Sequence, residues 1–254
     1  MMANKGIILE TKNLNHIFPN GTTGLKDVNL QIKNGDFMVI AGANGSGKTV
    51  LMHHLNGLLK PTTGDVLYDG ESIRKNLTEV RKNVGLIFQN SESQFVGQTV
   101  YEEVSFGPEN LNLPIDAIAK ITDTVLRAVD LKDFSTKNPH HLSGGQKRKL
   151  AVAGVLAMKS KVIIFDEPFT GLDYLGVRQV LLQLVELHHL GHTIILITHE
   201  LEKVLAHANR LVVIYDGMVV LDDAPKAIID KVDAFGIRMP MRKNEGIEAL
   251  TWLV

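Results

Sequence analysis

Short apolar runs rich in β-branched residues occupy the first part of the chain, and stretches with helical spacing occupy the middle. Ile7–Thr11 and Leu25–Ile32 read as strands on either side of Pro19-Asn20-Gly21, residues that favour a turn. Phe37–Ala41 is a short apolar run that leads into a glycine-rich segment, and from Lys48 to Leu55 the apolar residues recur at helical spacing. Val66–Tyr68 and Val84–Phe88 predict further strands. Val100–Val104 and Asp116–Leu131 read as helices, the second with Ile118, Ile121, Val125 and Val129 on one face and Asp116 near its N-cap. Pro108, Pro114 and Pro139 punctuate this stretch, and residues 90–160 are expected to form a helical lobe hung on the core. Alternation then resumes as strand Val162–Phe165, helix Leu175–Leu190, strand Thr193–Ile197, helix Glu200–Ala208 and strand Leu211–Tyr215. That order implies an α/β fold with a mostly parallel sheet covered by helices. Asp233–Val254 mixes Pro240, charges and a Leu250/Trp252/Leu253 cluster, which suits either a packed tail or a contact surface.

Composition narrows the class. The chain has 254 residues, enough for one large α/β domain with a substantial core. The formal net charge is -1, so no global basic field argues for nucleic acid. Cys is absent, which excludes disulfides and thiolate metal sites. Mean hydropathy is +0.06, and no apolar run approaches the ~20 residues that span a bilayer. Met1-Met2-Ala3-Asn4-Lys5-Gly6 lacks the apolar stretch of a signal peptide. A membrane role is therefore expected only through a partner.

Three segments carry phosphate chemistry. Gly42-Ala43-Asn44-Gly45-Ser46-Gly47-Lys48-Thr49 follows the P-loop pattern between a strand and a helix. Its backbone N–H groups suit a β-phosphate, with Lys48 and Thr49 reaching the β/γ-phosphates and Mg2+. Leu142-Ser143-Gly144-Gly145-Gln146 is a second small-residue cradle opening a second helix. Val162-Ile163-Ile164-Phe165 ends in Asp166 and Glu167 at a carboxyl end of the sheet, where ligands of open α/β sheets bind. Asp166 is expected to hold Mg2+ through water and Glu167 to act as general base. One nucleotide has no use for two complete cradles from one chain. A dimer is expected, each ATP lying between one chain's P-loop and the other's Ser-Gly-Gly turn.

Other positions carry weaker signals. Gln89 follows Val84–Phe88 and can reach a metal or water, or be structural filler. His199 follows Ile194-Ile195-Leu196-Ile197-Thr198 at a strand end and either senses a γ-phosphate or caps the following helix. Phe18 can stack on a purine or be an ordinary buried aromatic. The pairs His53-His54, His140-His141 and His188-His189 suggest metal, but adjacent helical residues do not share a face and no Cys or acidic set accompanies them. Lys147-Arg148-Lys149 is expected to be a solvated patch.

These residues together resemble the ATP-binding-cassette (ABC) ATPases from Ile7 to about Asp230. Gly42–Thr49 is similar to the Walker A loop, Gln89 to the Q-loop glutamine and Leu142–Gln146 to the signature motif. Val162–Asp166 with Glu167 resembles Walker B and its catalytic carboxylate, Gly171-Leu172-Asp173 the D-loop and His199 the switch histidine. Phe18 sits where the family has its adenine-stacking aromatic. A finer resemblance, in Phe88–Phe95, Thr99–Pro108 and Leu142–Met158, is to the ATPase subunits of energy-coupling-factor transporters, which import vitamins and cobalt or nickel ions.

The resemblance implies a P-loop core with an antiparallel β subdomain and an inserted α-helical signature subdomain. It implies an ATPase domain over 1–232 and a tail over 233–254, using ATP and Mg2+. It implies a peripheral protein at the cytoplasmic face of the membrane. The implied partners are a second ATPase subunit, a transmembrane coupling subunit and a substrate-binding membrane subunit. Val50 stands where a second hydroxyl residue is usual, which removes one α-phosphate hydrogen bond worth about 1 kcal/mol. Phe169-Thr170 and Tyr174 also depart from the commoner D-loop surroundings. The alternatives are a soluble ABC ATPase outside transport, an ATPase of another ABC transporter subclass and a binding module that dimerises on ATP but hydrolyses it poorly.

Overall fold

The computed structural model describes residues 6–240 and 246–253. The signal-peptide expectation for Met1–Lys5 therefore falls outside the described residues, as do 241–245 and 254 of the tail. Along the chain come β1 (Ile7–Ile17), β2 (Thr23–Lys33), β3 (Phe37–Ala41), α1 (Lys48–Leu55), β4 (Thr63–Tyr68), β5 (Glu71–Ser72), α2 (Leu77–Asn83) and β6 (Val84–Ile87). Three helices follow, α3 (Val100–Asn110), α4 (Ile115–Ala128) and α5 (Gly144–Ala157). The chain then runs through β7 (Val162–Asp166), α6 (Tyr174–His189), β8 (Thr193–Ile197), β9 (Arg210–Tyr215), β10 (Met218–Asp223) and α7 (Pro225–Ile228).

Two sheets result. The larger has the order β10-β9-β3-β8-β7-β6, parallel throughout except for the edge strand β10. The smaller, β2-β1-β4-β5, is antiparallel. The parallel strands are apolar on both faces because both faces are covered. Phe37, Val39, Ile163, Phe165, Ile194 and Leu196 point into a core shared with α5 and α6. Their alternates Met38, Ile40, Val162, Ile164, Ile195 and Ile197 meet β1, β2, β4 and α1. Each such fully buried side chain contributes roughly 1.5–3 kcal/mol.

Helices α3, α4 and α5 enclose a third core of Val100, Val104, Leu126, Val129, Leu131, Leu142, Leu150, Ala153 and Ala157. Helix α3 begins with a capping box between Thr99 and Glu102. The buried stripe of α4 is Thr122, Leu126 and the adjoining Val129, flanked by half-buried Ile118, Ile121 and Val125. Its N-cap is Pro114, so the expected capping position at Asp116 is corrected: Asp116 lies inside the first turn.

The expected helix Glu200–Ala208 does not form. Two separate 3-10 turns, Leu201–Lys203 and Leu205–His207, replace it. Leu201, Val204 and Leu205 are all buried, so tertiary packing holds the segment where local propensity alone favours a helix. The described tail residues pack as well. Ile247 and Leu250 enter the core beneath α6, and Trp252 lies 5.5 Å from Tyr174, centroid to centroid.

Candidate active site

Strand register assembles the site. Ile40 of β3 pairs with Ile197 of β8, which pairs with Asp166 of β7, so the three form one row across the sheet. The next positions, Ala41-Gly42, Thr198-His199 and Glu167, emerge together at the carboxyl end. Ile87 of β6 is level with Phe165, which carries Gln89 to the same edge two residues further on, where it is exposed.

The loop after β3 is shaped by close approaches. A Cβ on Gly42 would come within 2.4 Å of the Ile214 carbonyl oxygen and 2.5 Å of Ser46 Oγ. Gly47 has φ 107°, and a Cβ there would lie 2.6 Å from the Gly24 carbonyl oxygen, so it needs both the left-handed backbone and the missing side chain. The Asp216-Gly217 turn braces the loop from outside, with Gly217 N–H donating to Ser46 O at 3.0 Å. Asn44, Gly45 and Thr49 are exposed on the loop's rim.

Lys48 is 7 % exposed, and its ammonium donates to the carbonyls of Gly42 (2.7 Å) and Ala43 (2.9 Å). Burial lowers its pKa, opposed by the charges of Glu167 and Asp166. Asp166 is pushed up to about 6 by burial and by Glu167, against the pull of Lys48. A cation beside Asp166 would return it to the ordinary carboxylate range. Glu167 has φ 45°, an uncommon backbone for a side chain of its size. Its N–H is fixed to the Ile197 carbonyl at 2.9 Å, and its Oε1 lies 2.9 Å from His199 Nδ1. A carboxylate oxygen only accepts, so Nδ1 carries the proton and Nε2 is turned free.

Phe18, Thr22, Thr23, Gly24, Gly45–Lys48, Thr49 and Val50 line a cleft of about 280 Å3 beside the loop. Phe18 packs edge-on against His16 at 4.6 Å. Gly24 makes room for it, since a Cβ there would sit 2.8 Å from the Phe18 ring. Gly24 was not singled out in the sequence, although a glycine inside the alternating pattern of a strand marks a close approach; Gly217 sits in the turn between β9 and β10. Val50 packs partly against the core shared by α1 and the antiparallel sheet.

Among the described residues, Ser46 Oγ and Glu167 Oε2 at this site are buried without a hydrogen-bond partner. Such atoms are rare and costly in folded proteins. A phosphate seated on the loop and a water or hydrated cation beside Glu167 suit both, so the residues fit ATP with a divalent ion.

The second cradle points elsewhere. Ser143 caps the 14-residue α5, Oγ accepting from Gln146 N–H at 3.3 Å while Gln146 Oε1 accepts from Ser143 N–H at 3.0 Å. Ser143 and Gly144 are exposed, and among the described residues nothing lies within 4 Å of a Cβ placed on Gly144. Asp173 caps α6, accepting from Gly176 N–H at 2.8 Å. The expected solvated patch at Lys147-Arg148-Lys149 is corrected. Arg148 is buried against the Pro168 carbonyl, Lys147 pairs with Glu92 and Lys149 with Asp130.

A chain folded in this way is a P-loop nucleoside triphosphatase with a separate, outward-facing serine-glycine corner. The family described as ABC transporter matches residues 25–170. The chain is 43% identical over 239 residues to the energy-coupling factor transporter ATP-binding protein EcfA of Methanocaldococcus jannaschii, covering 92% of this chain and 86% of that protein. It is 38% identical over 240 residues to EcfA2 of Clostridium perfringens, with 92% and 84% covered. The solved structure of cbiO1 from Clostridium perfringens, described as part of the ABC transporter complex cbiONQ, superposes with a TM-score of 0.79 at 39% identity, covering 90% of this chain and 95% of that one. The chain belongs to the ABC transporter family, as an ATPase of the energy-coupling-factor type.

Proposed function

We propose that this ATPase works as a dimer in which each ATP is held between one chain's P-loop and the other chain's Ser143–Gln146 corner, and that closure on ATP drives uptake of a vitamin or a transition-metal ion. The observation that carries this reading is the outward direction of the corner. Ser143 and Gly144 are exposed, and among the described residues nothing would meet a Cβ on Gly144, whereas Lys48, Asp166, Glu167 and His199 converge at the carboxyl end of the sheet. A capped helix N-terminus of that length favours an anion.

Within the P-loop half, Lys48 exchanges its two loop carbonyls for phosphate oxygens, and the loop amides from Gly42 to Thr49 hold the rest. Phe18 stacks on the adenine, with Val50 at the wall. Mg2+, held by Thr49, Gln89 and Asp166, would neutralise charge on the phosphates. Glu167 takes the proton from the attacking water at the oxygen that His199 leaves free. His199 fixes that carboxylate through Nδ1 and presents Nε2 towards the γ-phosphate. Asp173 belongs to the turn that faces the second chain. Positioning and charge neutralisation supply most of the rate in such phosphoryl transfers.

We take residues 1–232 as the ATPase domain, 90–160 as its helical subdomain and 233–254 as the tail. An apolar groove of about 530 Å3 lies where the subdomain meets the core, lined among others by Leu58, Leu86, Phe88, Phe106 and Met158. It suits a helix of the transmembrane coupling subunit. The position is then peripheral at the cytoplasmic face, beside a substrate-binding membrane subunit. Among the described residues, no helix is long and apolar enough to cross a membrane. Both curated relatives and the solved neighbour carry transporter names, which favours transport over a soluble role.

Replacing Glu167 by Gln tests the reading. The variant is expected to bind ATP, to become dimeric with it and to release phosphate at about a hundredth of the wild-type rate or less. Wild-type turnover in that variant, or a strictly monomeric state with saturating ATP, refutes it.

A further inference from the structure

The cations that follow the serine-glycine corner point in three directions. Lys147 Nζ meets Glu92 at 2.7 Å, in the loop that follows Gln89. Lys149 meets Asp130 at 3.0 Å on the subdomain surface. Arg148, only 9 % exposed, donates from its guanidinium to the backbone carbonyl of Pro168, the residue after Glu167. Among the described residues no carboxylate pairs with Arg148, and burial holds its pKa below the usual arginine range.

A buried cation without an anion is costly, and a methionine of similar volume would fill the space without that cost. An arginine at this position therefore offers something beyond volume. Its planar donors fix the direction of the carbonyl they grip. That carbonyl belongs to a tight turn, with Thr170 N–H donating to Glu167 O and Leu172 N–H to Phe169 O, each at 3.3 Å. At the other end, Arg148 stands five residues beyond Ser143 on one rigid helix, a rise of about 7.5 Å.

We propose that Arg148 is a positioning residue that ties the outward Ser143–Gln146 corner to the Glu167 turn of its own chain, so that occupation of the corner by a second chain's nucleotide is transmitted to the general base. The proposal rests on the dimeric reading above. A shift of α5 on seating the partner's phosphate moves the Arg148 guanidinium, and with it the Pro168 carbonyl and the Glu167 backbone. The two nucleotide sites of the dimer are thereby coupled through each chain's interior.

The test is steady-state ATP hydrolysis by the purified full chain with Arg148→Met and Arg148→Lys, beside ATP-dependent dimerisation of Glu167→Gln followed by size-exclusion. Methionine keeps the volume and lysine keeps a donor of similar reach. The expected results are a fall in kcat of about tenfold or more for Met, and of about two- to fivefold for Lys, with KM for ATP within about twofold of wild type in both. Wild-type kcat in Arg148→Met, equal losses in the two variants, or a rise in KM that matches the loss in kcat overturns the proposal. If Arg148→Met shows no cooperative thermal transition, the lysine variant decides alone, and wild-type kcat in it overturns the proposal. Failure of Glu167→Gln to dimerise sinks the dimeric reading. Dimerisation of that variant beside an unaffected Arg148→Met sinks the arginine link alone.

Discussion

His199 Nδ1 stands 2.9 Å from Glu167 Oε1 across the end of the sheet, and the pairing of β7 with β8 brings the two there. The remaining carboxylate oxygen is buried and has no partner among the described residues. The histidine therefore holds one oxygen and leaves the other unengaged. Removing the ring in His199→Ala frees the carboxylate to rotate. Because His199 is 60 % exposed, the variant should keep its melting temperature within a degree or two. Its kcat should fall by about a hundredfold, the range for a misplaced general base. A variant that hydrolyses ATP at the wild-type rate would remove His199 from the mechanism.

Two glycine substitutions separate folding from assembly. Gly47→Ala places a methyl 2.6 Å from the Gly24 carbonyl at φ 107°, which should cost at least about 2–3 kcal/mol and abolish nucleotide binding. Gly144→Ala meets no atom of its own chain and opens a helix that alanine favours, so its melting temperature should hold or rise slightly. Its ATPase activity should nevertheless fall by about tenfold or more, because the obstruction appears only when a second chain's phosphate approaches. Thermal melts and phosphate release on the two proteins check this. Full activity in Gly144→Ala would mean that nothing seats on that corner.

The parallel core and most of the site were legible because their signals are local. An apolar strand, a glycine loop and an amphipathic helix in succession leave little choice at Phe37–Leu55, and Asp166-Glu167 closes an apolar run at a strand end. The failures have a common cause in contacts distant along the chain. Leu201, Val204 and Leu205 suit a helix by spacing, yet burial against the sheet and the tail divides them into two short turns. Arg148 looks solvated beside two lysines, and only the approach of Pro168 from a different strand end buries it. The hairpin of β9 and β10 is a different case. Asp216 at φ 48° and Gly217 at φ 74° form the left-handed pair that Asp-Gly favours, so a signal for β10 was present and unused.

The described end of the tail, residues 246–253, straps across the elements that bear the site. Trp252 lies against Tyr174, which directly follows Asp173, and the Lys203 ammonium sits 4.6 Å over the Trp252 ring. Leu250 O accepts from Ala206 N–H at 3.1 Å, and Thr251 Oγ1 lies 2.7 Å from His207 Nε2. Trp252→Ala should destabilise the protein by about 2–3 kcal/mol, counting lost area and the cation–π contact. That corresponds to a fall in melting temperature of about 5–10 °C. Trp252→Phe, which keeps an aromatic face, should recover at least half of it. An unchanged melting temperature in Trp252→Ala would show that the strap bears no load.

Acid sensitivity should trace to His54 behind the nucleotide cleft. His54 is fully buried on α1, its Nε2 3.1 Å from His16 Nδ1, and His16 in turn supports Phe18. Burial, and then the charge of His16, push His54 from 6.5 down to about 4. A base with a depressed pKa is neutral in the fold and takes up its proton more readily when unfolded, so the unfolded chain binds more protons between those values. Its contribution to stability is thus complete above pH 6.5 and is lost as the pH falls towards 4, a change of at most about 3 kcal/mol. His54→Gln removes that titration while keeping a polar group opposite His16. Melting temperatures measured from pH 7.5 to pH 4.5 should fall more steeply for the wild type than for the variant, by several degrees over the interval. Because Phe18 rests on His16, loss of adenine-nucleotide binding should begin in the same pH range and be delayed in the variant. Parallel melting curves for the two proteins would place the acid-sensitive group elsewhere.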